Sequence, residues 1–188
     1  MNAKYDNFGF YTVDTAYLKY LNEAEPEVYF STASDYRRKP FLGIVVMING
    51  YSYFIPLSSR NAKHTAWKSR SNEHFLIYEI VSKDTLRDTD VFKPHSNTEV
   101  KKLLAVVDLK KMVPVPDNLY SRINFATLAD ERYRSLLRKE YEFRLEIKDD
   151  ILNNADMIYT RQAESKKVYP FYCNFSKLEK LCDEYTQK

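Results

Sequence analysis

Glycine is nearly absent: the 188-residue chain has three. Loops that cradle a nucleotide's phosphates need glycine where backbone amides approach the ligand, and neither a P-loop nor a dinucleotide fingerprint is present. Cysteine is scarcer still, with Cys173 and Cys182 alone. Their spacing fits no CxxC pair and no histidine cluster accompanies them, which argues against a zinc site and for two buried thiols in a reducing compartment. The longest apolar run, FLGIVVMI, falls far short of the roughly 20 residues that span a bilayer. The opening MNAKYDNFGFYTV lacks a charged-then-apolar signal segment. These absences lead to an expected cytoplasmic location with no membrane contact. The length favours one core, hence a single domain over 1–188.

Acidic residues are missing locally. Net charge is only +3, yet no Asp or Glu occurs between Tyr36 and Asn72, where Arg37, Arg38, Lys39, Arg60, Lys63, Lys68 and Arg70 all fall. Tyr36, Tyr51, Tyr53 and the single tryptophan, Trp67, are interleaved with them. Cations for phosphates beside planar faces for unstacked bases suit single-stranded nucleic acid. With 16 tyrosines and 11 phenylalanines in the chain, some of these rings must be core.

The elements are readable from pattern. FGFYTV alternates as a strand, and Asp14 can cap a short helix in TAYLKYLN that buries Tyr17, Leu18 and Leu21. FLGIVVMI, the turn NG and YSYFIPL form a hairpin with a type I′ turn. That hairpin delivers Ser58 and Ser59 to a strand end. HFLIYEIV and LLAVVDL are further strands, and the prolines of MVPVP confine that run to the sheet's end or edge. From about Asp130 the pattern turns helical, with Tyr133, Leu137, Tyr141 and Leu145 spaced by four; Ser176 and Glu179 fit a capping box for a last short helix. Strands first and helices last predict an α+β domain around an antiparallel sheet.

The stretch FIPLSSRNAKHTAWKSR raises a chemical expectation. An RNA strand carries its own nucleophile, the 2′-hydroxyl, so transesterification at the adjacent phosphate needs neither metal nor cofactor. It needs proton transfer, in-line geometry and stabilised phosphoryl charge, which hydroxyls, a lysine and an imidazole supply. A serine-hydrolase reading lacks a GxSxG elbow and a glycine-built oxyanion loop. Metal-dependent cleavage lacks carboxylates in the basic window, although Glu73 or later acids remain available.

In order along the chain, FYTVDTAYLKYL, KPFLGIVV, YFIPLSSRNAKH, MVPVP and CNFSKLEKLCDEY resemble the ToxN/AbiQ family, the endoribonuclease toxins of type III toxin–antitoxin and phage-abortive systems. The resemblance implies a strongly bent antiparallel sheet with flanking helices, similar to the Kid/MazF toxins. It implies metal-independent, cofactor-free cleavage of cellular or phage RNA to 2′,3′-cyclic phosphate and 5′-hydroxyl ends. The implied partner is a small RNA antitoxin of pseudoknot repeats, which closes with toxin subunits into a ring. On this resemblance Ser59 is the central catalytic residue beside Ser58, and His64 is a donor to the leaving oxygen or a structural hydrogen-bonding group. Tyr11 either lines the site or packs inside. Relatives often carry Pro-Lys where Arg60 and Asn61 stand, so the lysine's role passes to Lys63 or Arg60. Tyr36, Arg37, Arg38, Lys39, Arg60, Asn61, Trp67, Lys68 and Arg70 are the expected RNA contacts. The missing Pro-Lys pair keeps a second expectation open, a catalytically silent RNA-binding module on the same fold.

Overall fold

The hairpin organises the sheet. In the computed structural model, which describes residues 9–30 and 40–187, β2 (Phe41–Ile48) and β3 (Tyr51–Ser59) are joined at Asn49 and Gly50, with φ of 51° and 85°. Two successive positive φ values are what a two-residue turn between twisted strands demands, and Asn-Gly tolerates them. β1 (Gly9–Val13) pairs with β2, and α1 (Thr15–Ala24) follows at once, its first turn capped by Asp14, whose carboxylate accepts the Tyr17 N–H at 2.8 Å. Tyr17, Leu18 and Leu21 form its buried stripe, as the spacing predicts.

β4 (His74–Ser82) and β6 (Glu99–Asp108) form the long antiparallel arm, and β6 also pairs with the end of β3. Two short strands escape the pattern reading. β5 (Phe92–Pro94) lies along β6, and β8 (Tyr120–Arg122) adds the outer strand beyond β1. β7 (Val113–Pro114), from the MVPVP run, makes only a two-residue pairing with β3, as its prolines require. The strand order is β4-β6-β3-β2-β1-β8, with β5 on β6 and β7 on β3. Register shifts in β2 between Leu42 and Val46 and in β4/β6 at Ile77 and Tyr78 mark irregularities that bend strands. The sheet curls strongly, wrapping one large core that includes Phe10, Tyr53, Phe54, Phe75 and Phe175.

The helical stretch that begins near Asp130 is two helices, α2 (Glu131–Glu146) and α3 (Lys148–Ser165), broken at Ile147, which is 1 % exposed. A spacing of four advances 40° further than a full turn at each step. Leu145, the last of the four positions, has therefore rotated out of the core and is 52 % exposed, while Ile147 anchors the break. α4 (Phe175–Thr186) starts two residues earlier than the Ser176 capping box implies. Asn174 is its cap, accepting the Lys177 N–H at 3.1 Å, and Glu179 instead accepts from the hydroxyls of Tyr53 and Tyr159 at 2.9 and 2.7 Å. Both cysteines are buried free thiols. The result is an α+β domain with, among the described residues, eight strands and four α-helices, and no helix among them is long and apolar enough to cross a membrane.

Candidate active site

The end of β3 presents the two serines. Ser58 pairs with Val106 and Ser59 with Ala105 on β6. Residues directly opposite in a ladder share a face and successive residues alternate, so the two side chains turn opposite ways. Val106 belongs to a small cluster with Leu76 and Leu103, against which Trp67 packs; Ala105 belongs to the main core on the side of α2. Ser59 is exposed and Ser58 half-buried.

On the Ser59 side lies a cavity of about 290 Å³ bordered by both serines and by Arg60, Leu57, Leu104, Tyr133 and Glu140. Arg60 is held at its rim by an ion pair of 3.9 Å to Asp90, whose side chain is almost fully buried and also meets Lys102 at 3.0 Å. Burial pushes the Asp90 carboxyl up, but the Arg87 N–H, Lys102 and Arg60 together hold it below its ordinary value. Glu140 is 4 % exposed. Burial, only partly opposed by Arg60, pushes its carboxyl up to about 8, so it carries its proton at neutral pH.

The other side is an aromatic and cationic pad. Asn61 caps a 3-10 turn over Ala62–Ala66, its side chain accepting the Lys63 N–H at 3.1 Å. His64 is 3 % exposed, and its Nδ1 accepts the Asn61 N–H at 3.1 Å, which leaves the ring proton on Nε2. Burial, then the charges of Lys63 and His74, hold its pKa below the ordinary histidine value. The Trp67 ring meets the rings of His64 and His74 at 4.8 and 4.5 Å, with the ammonium groups of Lys63 and Lys110 at 6.0 and 5.3 Å from its centroid. Such cation–π pairs also hold the indole in place.

The segment thus divides. Both serines and Arg60 border the cavity, whereas Lys63, His64 and Trp67 gather on the face to which the Ser58 side chain turns. Tyr11 is 4 % exposed, with its ring edge-on to Phe54 and Tyr120. In register it lies across Phe41 from Pro56, two residues before Ser58. Lys68 is exposed, its carbonyl accepting from His74 Nε2 at 3.0 Å, and Arg70 pairs with Asp150 at 3.8 Å. Carboxylates do reach the acid-free window, from Asp90 and Asp150. Tyr36, Arg37, Arg38 and Lys39 lie outside the described residues. Glu140 was not singled out by the sequence reading, which takes the charges of α2 as lying opposite the Tyr133, Leu137, Tyr141 and Leu145 stripe. The signal was there: Tyr133, Leu136, Leu137 and Glu140 stand at i, i+3, i+4 and i+7, putting the carboxyl on the buried stripe.

Fold and site together define an α+β domain whose curled sheet ends in a hydroxyl and a fixed guanidinium, with a cationic aromatic pad alongside. Residues 9–183 match the family model of the ToxN toxin of type III toxin–antitoxin systems. The chain is 32 % identical to the endoribonuclease ToxN of Bacillus thuringiensis subsp. kurstaki, covering 97 % of this chain and 87 % of that protein. It is 26 % identical to the endoribonuclease AbiQ of Lactococcus lactis subsp. lactis, covering 95 % and 90 %. A solved toxin structure concerned with selective inhibition by a non-coding RNA pseudoknot superposes with a TM-score of 0.72 at 28 % identity, over 95 % of this chain and 98 % of that one. Another, from a bacterial antiviral system regulated by a processed non-coding RNA, gives 0.70 at 26 %, over 92 % and 95 %. The chain belongs to the ToxN/AbiQ family of type III toxins.

Proposed function

We propose that this protein is an endoribonuclease toxin that cuts single-stranded RNA at the Ser59 end of β3 without a metal ion. The 2′-oxygen attacks the adjacent phosphorus and the bond to the 5′-oxygen breaks. The 2′-hydroxyl loses its proton to water, the 5′-oxygen gains one, and the products carry a 2′,3′-cyclic phosphate and a 5′-hydroxyl. Ser59 donates to a phosphoryl oxygen, and Arg60, steadied by Asp90, stabilises the charge that develops there. The observation that carries this reading is the exposed Ser59 hydroxyl beside Arg60 at the mouth of a cavity, in a chain whose curated relatives are endoribonucleases by name.

Lys63, Lys68, Arg70 and Trp67 form the pad that holds the strand on the opposite side, and Tyr36, Arg37, Arg38 and Lys39 are further RNA contacts. Asn61 and His64 shape the turn between these two sets. Tyr11 keeps β1 registered against β2 and so supports the strand end indirectly. The controlling partner is a small pseudoknot RNA made from repeats, closing with toxin copies into a ring, and the targets are cellular or phage RNA in the cytoplasm. The curled sheet is read as a relative of the Kid/MazF fold, and residues 1–188 as one toxin domain.

Cleavage in excess EDTA, with the product ends analysed, tests the chemistry. Cyclic phosphate ends formed in chelator support it; cutting that stops in chelator, or 3′-hydroxyl ends, overturns it. The alternative, a binding module that does not cut, is favoured by one observation: the Asn61 side chain, at a position where the resemblance implies a lysine in many relatives, is spent on a cap. Tight RNA binding with no cutting by the wild-type protein would decide for it.

A further inference from the structure

We propose that the cavity between β3, β6 and α2 is a nucleobase pocket, in which Glu140 reads the hydrogen-bonding edge of one unstacked base next to the phosphate held at Ser59 and Arg60. This rests on the RNA-handling role proposed above and names what that site recognises.

Three features of the cavity fit this ligand. Its walls are apolar: Leu57 and Leu104 from the sheet and Leu137 from α2 are all buried, with Tyr133 beside them. Such walls suit the faces of a planar ring withdrawn from water. Its rim carries a hydroxyl and a guanidinium, which suit the sugar–phosphate that must stay outside. Its one polar side chain on a residue more than nine-tenths buried is that of Glu140, whose carboxyl makes no hydrogen bond among the described residues. A buried polar group without a partner is destabilising, so its presence here is better accounted for by a ligand than by folding.

The carboxyl's state sets what it can read. A neutral acid presents one donor beside one acceptor, which complements an amino group next to an unprotonated ring nitrogen, or a ring N–H next to a carbonyl. It gives no advantage to the edge of guanine that offers two donors side by side; an ionised carboxylate would. The groups facing Glu140 are Arg60 from the end of β3 and Asp130 and Tyr133 from α2 and its approach.

The test compares wild type, Glu140→Gln and Glu140→Leu in the full chain. Two readouts are taken: sequencing of cut sites in a randomised RNA, and equilibrium binding of short strands made uncleavable by a 2′-deoxy sugar at the cut. Wild type is expected to discriminate among bases at one position by about 5- to 150-fold, the range of one bidentate pair. Gln, with the same donor–acceptor pair, keeps that preference; Leu abolishes it there and leaves the other positions unchanged. Unfolding temperature is followed alongside, and Leu is expected not to lower it. Preference that survives in Leu overturns the proposal. So does a guanine preference lost in both variants, which marks an ionised carboxylate, or lost cutting with unaltered base preference in binding, which marks proton transfer instead. If wild type binds with a preference that Leu removes but never cuts, the pocket stands and the cleavage reading falls.

Discussion

Ser58 and Ser59 are adjacent in the chain and face opposite sides of the sheet, because Ser58 is in register with Val106 and Ser59 with Ala105. The consequence is a division of labour within one short segment. The cavity with Arg60 and Glu140, though Ser58 also borders it, lies on the face of Ser59; Trp67, Lys63 and His64 lie on the face of Ser58. A strand of RNA crossing the end of β3 can use one side for the reacting phosphate and the other for its flanking nucleotides.

Trp67 and Lys63 separate stacking from charge. Replacing Trp67 with Ala is expected to weaken single-strand RNA binding by about 1–3 kcal/mol, the scale of one base on one aromatic ring, with little change in salt dependence. Lys63→Ala should instead lower the slope of log affinity against log salt by about 0.7, the single-strand value for one phosphate contact. Binding titrations at several salt concentrations read both. Equal slopes for wild type and Lys63→Ala would remove Lys63 from the interface.

Glu140 gives the fold a pH signature. Its folded value, about 8, stands above the ordinary 4.5, so the folded state keeps a proton that the unfolded state releases. This contribution is complete below about pH 4.5 and is lost as the pH rises towards 8. Glu140→Gln removes that loss, so near pH 7 it should be more stable than wild type, by on the order of 3 kcal/mol. Depressed carboxyls such as Asp90 and Glu73 act in the opposite sense, so the quantity to follow is the difference between variant and wild type in urea unfolding from pH 5 to 8.

His64 works in the opposite direction. Its folded pKa lies below the ordinary value near 6.5, so its contribution is present above pH 6.5 and is lost as the pH falls through the depressed value. His64→Ala, which leaves the Asn61 N–H without its acceptor, should cost about 1 kcal/mol at pH 7.5. Its cutting rate at saturating RNA should stay near that of wild type. A rate loss beyond about tenfold would make His64 a proton donor.

Glu179 ties the sheet to the helices, since its carboxylate accepts from Tyr53 and Tyr159 together. Burial, reinforced by Glu179, pushes the Tyr53 hydroxyl far above its ordinary value, and the Tyr159 hydroxyl is raised too. Glu179→Leu strands the Tyr53 hydroxyl and leaves the Tyr159 hydroxyl only the Asn49 side-chain N–H it accepts from at 2.8 Å, and is expected to destabilise the protein by roughly 1–3 kcal/mol, seen as a lowered urea midpoint. Double substitution with Tyr53→Phe should recover part of that loss.

Local signals carried much of the fold. Asn49-Gly50, the Asp14 cap and the prolines of the MVPVP run act through their own backbone preferences, and each is where the pattern puts it. What escaped depended on distant partners. β8 exists because Tyr11, Thr12 and Val13 offer an edge to Arg122, Ser121 and Tyr120, and three residues carry no period of their own. The site was legible as a list of residue types and not as an arrangement. Alternation along β3 separates Ser59 from Lys63's side, a fact written in the strand period, yet which face holds α2 is decided only by tertiary packing. Glu140 lay hidden for the same reason: in a helix dense with charge, the cavity it faces is built by other elements.

The most direct measurement is the single-turnover cutting rate of Ser59→Ala against Ser58→Ala on the same RNA in EDTA. A reaction centred on the α2 side predicts a loss of about 100- to 1000-fold for Ser59→Ala and less than about tenfold for Ser58→Ala, with RNA affinity retained in both. The reverse order, or a Ser59→Ala protein that cuts as fast as wild type, would contradict it.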